Sequence, residues 1–210
     1  KLPVKEIIQA ARANGIYVHL DGAQTWGAMK LDLKDLDPDS YSASAHKWYM
    51  GPKEVGLLYV KAQNIEKIWP SVIAPGWGDE ASTILQGARK FESLGQRDDA
   101  ALAGLGVAAQ MHNTIGSARI EARIVELAQR LKRGIAAGGH ELVTPMDPAL
   151  SFGVCITKAP SDKGGIIVNT LYTDYGIACA ATGGKRICPT IYNTLDHVDR
   201  AIAGVNALLA

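Results

Sequence analysis

The stretch Ser42–Gly56, SASAHKWYMGPKEVG, gathers two hydroxyls, an imidazole, an amine and a Gly-Pro turn between two apolar runs. A hydroxyl-rich turn with a nearby imidazole can hold a phosphate, because an oxyanion needs short donors converging on it; Ser44 and His46 are the candidates here. Lys47 beside them becomes a nucleophile toward carbonyls if its amine is desolvated or placed next to a cation, and a solvated surface amine otherwise. Asp21 follows directly on a run that reads as a buried strand, the end of an open α/β sheet where ligands gather, although an Asp there can equally cap the next turn. Gln24, three residues on, can stand beside Asp21 at a common ligand or close a turn. An acyl-transfer hydrolase built from Ser44 and His46 is the weaker alternative, since two residues apart in an extended segment they point the same way, and no third orienting group is evident.

These residues need elements to hold them. Pro3 followed by VKEIIQAARAN places apolar residues 4, 7, 8 and 11 on one face, which predicts a helix with Gly15 as its C-cap. IYVHL then reads as a strand ending at Asp21, and YSASAH and VGLLYV as two more strands separated by the turn-rich KWYMGPKE. The first 60 residues therefore read as the later part of an α/β layer whose earlier strands are missing. PSVIAPGWGDEAS, within the mixed stretch 61–97, is expected to be a surface loop. Residues 98–112 and 117–137 read as two helices joined at Ile-Gly, the second stopped by Gly138 and Gly139. A second α/β unit follows: a strand at 150–158, a helix from Lys163 to Tyr175, the strand GIACA, a TGGK turn, the strand RIC and a helix from Leu195 to Leu209. The expected domains are 1–115 and 116–210.

Composition excludes several classes. With 47% apolar and 20% charged residues in 210, the chain is of the folded globular kind, and a net charge of +1 offers no electrostatic footprint for nucleic acid or an anionic membrane. No apolar run reaches the length of a membrane span, and the opening KLPVKEIIQAARANG is no signal peptide, so a cytoplasmic location is expected. The chain opens on Lys without a Met, which reads as a processed product, a fragment or a segment of something longer. Cys155, Cys179 and Cys188 match no disulfide or metal spacing and are expected as buried free thiols. Neither GxGxxG nor GxxxxGK[ST] occurs. An amine, an acid and phosphate donors brought to one crevice from two strand ends are instead the parts needed to use pyridoxal phosphate as an electron sink, and they fit that cofactor better than NAD or ATP.

At this point the chain resembles a known group, the fold-type I pyridoxal-phosphate enzymes of aminotransferase class V, which include cysteine desulfurases, selenocysteine lyases and isopenicillin N epimerase. The resemblance rests on VHLDGAQ at 18–24, SASAHKWYMGPKEVGLLYV at 42–60, KFESLGQRDD at 90–99 and KRICPTIYNTLDHVDRAI at 185–202, in order and spacing, and the last two look closest to the epimerase-like branch. It implies a partial fold-type I architecture: the C-terminal part of a three-layer α/β large domain, then a smaller α/β domain. It also implies an amino-acid substrate, a homodimer, and a missing N-terminal part present in the full protein or as another chain. By residue, it implies that Lys47 holds the cofactor as an internal aldimine and serves as the proton-transfer base. Asp21 would pair with the pyridine nitrogen, Gln24 with the ring 3-hydroxyl, Ser44 and His46 with the phosphate, and Arg186 with the substrate α-carboxylate.

Departures from the family pattern bear on the reaction. Where mobile-loop desulfurases carry a persulfide cysteine in a GHHCAQP-like insertion, this chain has only CAATGGK, with Cys179 inside the expected strand GIACA and Cys188 two residues after Arg186. Epimerisation, β-elimination or another Cα-proton abstraction is therefore the expectation, ahead of desulfurase or selenocysteine-lyase chemistry, and a catalytically silent fragment or interaction module of the same fold is the alternative of another class. At the family's Gly-Thr position stand Gly95 and Gln96, and the Gln96 amide, or the charge of Arg97, would replace the threonine at the partner subunit's phosphate. Trp26, Trp48 and Tyr49 flank the expected site as pocket lining or core packing. Tyr192 and Asn193 are expected to pack beneath it, and Trp77 and His112 suggest no chemistry.

Overall fold

The computed structural model describes residues 1–73, 87–92, 95–159 and 164–209. They divide into two compact units, Pro3–Gly116 and Ser117–Ala210 with Lys1–Leu2.

In the 3–116 unit, helix α1 (Val4–Ala13) buries Ile8, and its carbonyls close on Asn14 and on Gly15 at φ 68°. The cap is thus Asn14, with the left-handed Gly15 just beyond it, one residue earlier than the sequence suggests. Strand β1 is only His19–Asp21, because its parallel partner β2 (Ser40–Ser44) pairs with it from Ser40 onward, His19 opposite Ser40 and Asp21 opposite Ser42. On its other side β2 pairs antiparallel with β3 (Gly56–Val60), giving the order β1-β2-β3. Between β1 and β2 lies a short helix the periodicity misses, α2 (Leu33–Leu36), capped by the Asp32 carboxylate on the amides of Lys34 and Asp35. After β3 the described residues include the 3-10 turns Ala62–Lys67 and Gly87–Glu92, then α3 (Asp99–Ile115), N-capped by Asp98 on the Ala101 amide. Most of the expected surface loop, with Trp77, lies outside the described residues.

The 117–210 unit begins with α4 (Ser117–Ala137), whose Leu127, Leu131 and Ile135 are fully buried. A three-stranded antiparallel sheet of order β4-β6-β5 follows: β4 (Cys155–Thr157), β5 (Ala180–Ala181) and β6 (Lys185–Ile187). Helices α5 (Gly164–Tyr175) and α6 (Leu195–Leu209) complete it. Cys155 and Ile187 of the sheet, Ile167 and Leu171 of α5, and Val198, Ala201 and Val205 of α6 join the α4 residues in one core cluster. GIACA is corrected here. Gly176 takes φ 63°, and pairing with β6 starts only at Ala180, so Cys179 precedes the strand instead of lying within it. No helix among the described residues is long and apolar enough to cross a membrane.

Candidate active site

The parallel pairing of β1 with β2 brings the C-terminal ends of both strands together, and the polar residues of interest emerge there. Asp21 ends β1; one carboxylate oxygen accepts from the Ala23 amide at 2.9 Å. Beyond it the backbone of 22–29 coils into successive tight turns on the Gly22 and Thr25 carbonyls. Tyr41 of β2 fixes the start of this turn: its buried phenol bonds to the Thr25 hydroxyl at 3.0 Å, and its ring occupies the space any Cβ at Gly22 would need. Burial pushes the Tyr41 pKa up.

On β2, Ser44 lies two residues beyond Ser42 on the face opposite Tyr41. His46 and Lys47 follow in the turn that leaves the strand, both exposed, while Ala45 and Trp48 around them are buried. Two backbone bonds shape the turn, Met50 N–H to the Lys47 carbonyl at 3.1 Å and Gly51 N–H to the Ala45 carbonyl at 2.8 Å. Among the described residues the side chains of Ser44, His46 and Lys47 make no hydrogen bond or ion pair.

The two turns touch. Trp48 Nε1 donates to Gln24 Oε1 at 2.8 Å, and since an indole N–H is only a donor, this bond leaves the Gln24 amide NH2 to donate elsewhere. Gly27, at φ 82°, sits so close to Tyr49 that a Cβ would come within 2.6 Å of its backbone nitrogen and Cα. The Tyr49 ring stacks on Trp26 at 4.0 Å between centroids and, on its other face, on His112 of α3 at 4.3 Å. His112 Nε2 also bonds to the Tyr49 carbonyl at 3.1 Å, and burial holds its pKa below the usual imidazole value. His112 carries no local signal in an Ala-rich helix; only its partner, 63 residues away, reveals it.

The structure thus groups Asp21, Gln24, Ser44, His46 and Lys47 at one strand end. Gln96 lies elsewhere in the same unit, exposed in the bend before α3, and Arg97 beside it faces Glu92 at 3.7 Å. Arg186 belongs to the 117–210 unit, in the middle of β6, half-buried, with Nε directed to Cys188 Sγ at 3.5 Å. Asn193 closes the following turn by accepting from the Thr190 amide, and Tyr192 is exposed. Of the cysteines, Cys155 is fully buried with its pKa pushed up to about 12, and half-buried Cys179 is shifted the same way by burial. Among the described residues no cluster of His, Cys, Asp and Glu could hold a metal ion.

Set against known proteins, residues 1–200 match the family model described as Aminotransferase class-V. Isopenicillin N epimerase of Streptomyces clavuligerus is 29% identical over 99% of this chain and 56% of its own length. The cysteine desulfurase IscS of Anaeromyxobacter sp. (strain Fw109-5) is 35% identical over 65% of this chain and 30% of its own. Among solved structures, a C-DES variant with glycine covalently linked to its PLP cofactor superposes with a TM-score of 0.85 at 24% identity, covering 98% of this chain and 56% of that one. The fold is that of part of a fold-type I PLP-dependent enzyme, and the chain spans about half the length of the relatives it matches.

Proposed function

Because the chain belongs to the aminotransferase class-V family, a family of pyridoxal-phosphate-dependent enzymes, we propose that the protein carrying it uses this cofactor to act at the Cα of an amino acid. The observation that supports the reading best is the strand-end grouping: an exposed, unbonded lysine amine, a carboxylate with one oxygen free, an amide whose NH2 is left to donate, and an unbonded hydroxyl and imidazole. This donor set suits a cofactor with an aldehyde, a pyridine nitrogen, a ring hydroxyl and a phosphate.

When bound, pyridoxal phosphate acts as an electron sink that makes the substrate's Cα proton removable. Lys47 would supply the amine that holds the cofactor, and once the substrate's amine has displaced it there the freed Nζ would take the proton from Cα. Asp21 would accept from the protonated pyridine nitrogen, the Gln24 NH2 would donate to the ring oxygen, and Ser44 with His46 would bind phosphate oxygens. Arg186 offers a guanidinium fork that matches an α-carboxylate bidentately. In a homodimer, Gln96 adds an amide donor at the partner's phosphate. Proton delivery on the opposite face, from a second donor because Lys47 serves one face, would make the enzyme an epimerase, loss of a β-substituent would make it a lyase, and an aminotransferase is the third outcome. The cysteines favour these over a protein-bound persulfide, because burial raises the pKa of Cys155 and Cys179 and the chain has only CAATGGK where a mobile loop would carry a persulfide cysteine.

Borohydride reduction of the full-length protein after addition of pyridoxal phosphate, followed by peptide mass measurement, tests the reading. A stoichiometric pyridoxyl adduct on Lys47, absent in Lys47→Ala, is the expected result. An unmodified Lys47 in folded protein would sink it and favour a silent member of the fold.

A further inference from the structure

The turn bearing Lys47 is held in a conformation its own sequence does not favour. Met50, three residues past Lys47, sits at φ 56°, in the left-handed region that costs a side-chain-bearing residue free energy and persists only where the surroundings impose it. Two of those surroundings are glycines packed too closely for a side chain. Gly27 lies under Tyr49 with no room for a Cβ, and Gly51 packs at 2.9 Å, measured from an added Cβ, from the Ala45 methyl. The third is aromatic: the Tyr49 ring lies between Trp26 and His112, nearly parallel to both, with interplanar angles of 16° and 6°.

Each ring of this stack comes from a different part of the chain. Trp26 belongs to the turn after Asp21, Tyr49 to the turn after Lys47, and His112 to α3. His112 also carries the bond to the Tyr49 carbonyl, the backbone group that immediately precedes Met50. A helix thereby grips the lysine turn at both its side chain and its main chain, and the lysine turn grips the acid turn.

We propose that His112 is a positioning residue for Lys47: by stacking on Tyr49 and bonding its carbonyl, it fixes the turn that presents the lysine amine beside the Asp21 turn. The proposal rests on the reading that Lys47 is the working amine. His112 itself touches neither substrate nor cofactor; it acts through Tyr49.

The test uses the full-length protein, its His112→Ala variant and a His112→Phe variant, which keeps a ring for the stack and loses the hydrogen bond. Amide hydrogen exchange is read at Met50 and Gly51, with α3 and the β2–β3 pair as internal references. His112→Ala should speed exchange at those two amides about tenfold, the size expected for one ring pair, while the references hold, and His112→Phe should restore part of the protection. The Lys47 pyridoxyl adduct should form correspondingly more slowly in His112→Ala and recover in His112→Phe. Unchanged exchange at Met50 and Gly51, or exchange raised evenly across the unit, would overturn the proposal, as would a His112→Phe variant no better protected than His112→Ala. If wild-type Lys47 forms no adduct, the functional reading fails while the exchange result still decides whether His112 orders the turn.

Discussion

The 117–210 unit closes its core on aliphatic side chains from three helices and a sheet, whereas the 3–116 unit buries aromatic and small residues where loops meet. In the first, the eleven members of the core cluster are all apolar and seven of them are Leu or Ile, at helical or strand spacing, while the buried polar residues of that unit, Lys132, Ser151, Thr157, Lys185 and Thr190, lie outside the cluster. In the second, the buried apolar set includes Tyr41, Trp48, Ala28, Ala43 and Ala45, and the buried polar set includes Ser40, Asn64 and His112. Strand β1 is exposed at both His19 and Asp21. The difference is that of a core made by amphipathic elements against a site made by turns. Periodicity writes the former into the sequence, while the latter depends on close approaches between residues far apart in the chain.

The largest effect expected from this contrast is in the aliphatic core. Leu131→Ala removes a fully buried side chain of α4, and such truncations cost about 2–5 kcal/mol. Leu58→Ala on β3, where the side chain is 48% exposed, should cost no more than about 0.5 kcal/mol. Denaturant unfolding of the two variants measures both. A comparable loss in each would break the distinction between the units.

Next in size is a change at the turn-built site. Gly27→Ala must place a side chain at φ 82° and drive its Cβ into the Tyr49 backbone, for a cost of about 1–3 kcal/mol. Because the displaced group is the neighbour of Trp48 and lies two residues from Lys47, the variant should also lose much of its Lys47 pyridoxyl labelling at temperatures where it remains folded. Normal labelling in a normally stable Gly27→Ala protein would show that the two turns can separate without consequence.

The same contrast explains which features were readable beforehand. The helices of 98–112 and 117–137 were evident from their apolar spacing and appear as Asp99–Ile115 and Ser117–Ala137. Lys47 and its neighbours stood out because unusual residue types crowd one short segment. Strand lengths were overestimated at IYVHL and GIACA, because β-propensity marks residues that could pair while hydrogen bonding requires a partner in register, and β6 offers Ala180 and Ala181 only two positions. Helix α2 carried a readable sign in its Asp32 cap but is a single turn, too short for periodicity. His112 was unreadable in principle from local sequence, since everything that distinguishes it is supplied by Tyr49 and Trp26.

The smallest expected effect concerns Lys132, one of the polar residues buried in the aliphatic unit beside Ser151, Thr157, Lys185 and Thr190. Lys132 of α4 is fully buried, its amine bonded to the Ser151 hydroxyl at 2.6 Å and to the Pro145 carbonyl at 3.3 Å, with no ion-pair carboxylate among the described residues. Burial lowers its pKa, helped by Lys1 and Arg133 and opposed by Cys155 and Asp147. The sign of the linkage follows from this. Between the lowered folded value and the unfolded value near 10.5, the unfolded chain binds more protons, so wild-type stability rises with pH across that window and is depressed below it. Lys132→Met removes the desolvated charge and keeps the volume, so at pH 7 its melting midpoint should exceed that of wild type by about 2 °C. That advantage should shrink as pH rises through the lowered pKa of the wild-type amine. A variant less stable than wild type at pH 7 by the same margin as at pH 10 would show that the two hydrogen bonds outweigh the cost of burying the charge, and that this core tolerates a polar group as readily as the turn-built site does.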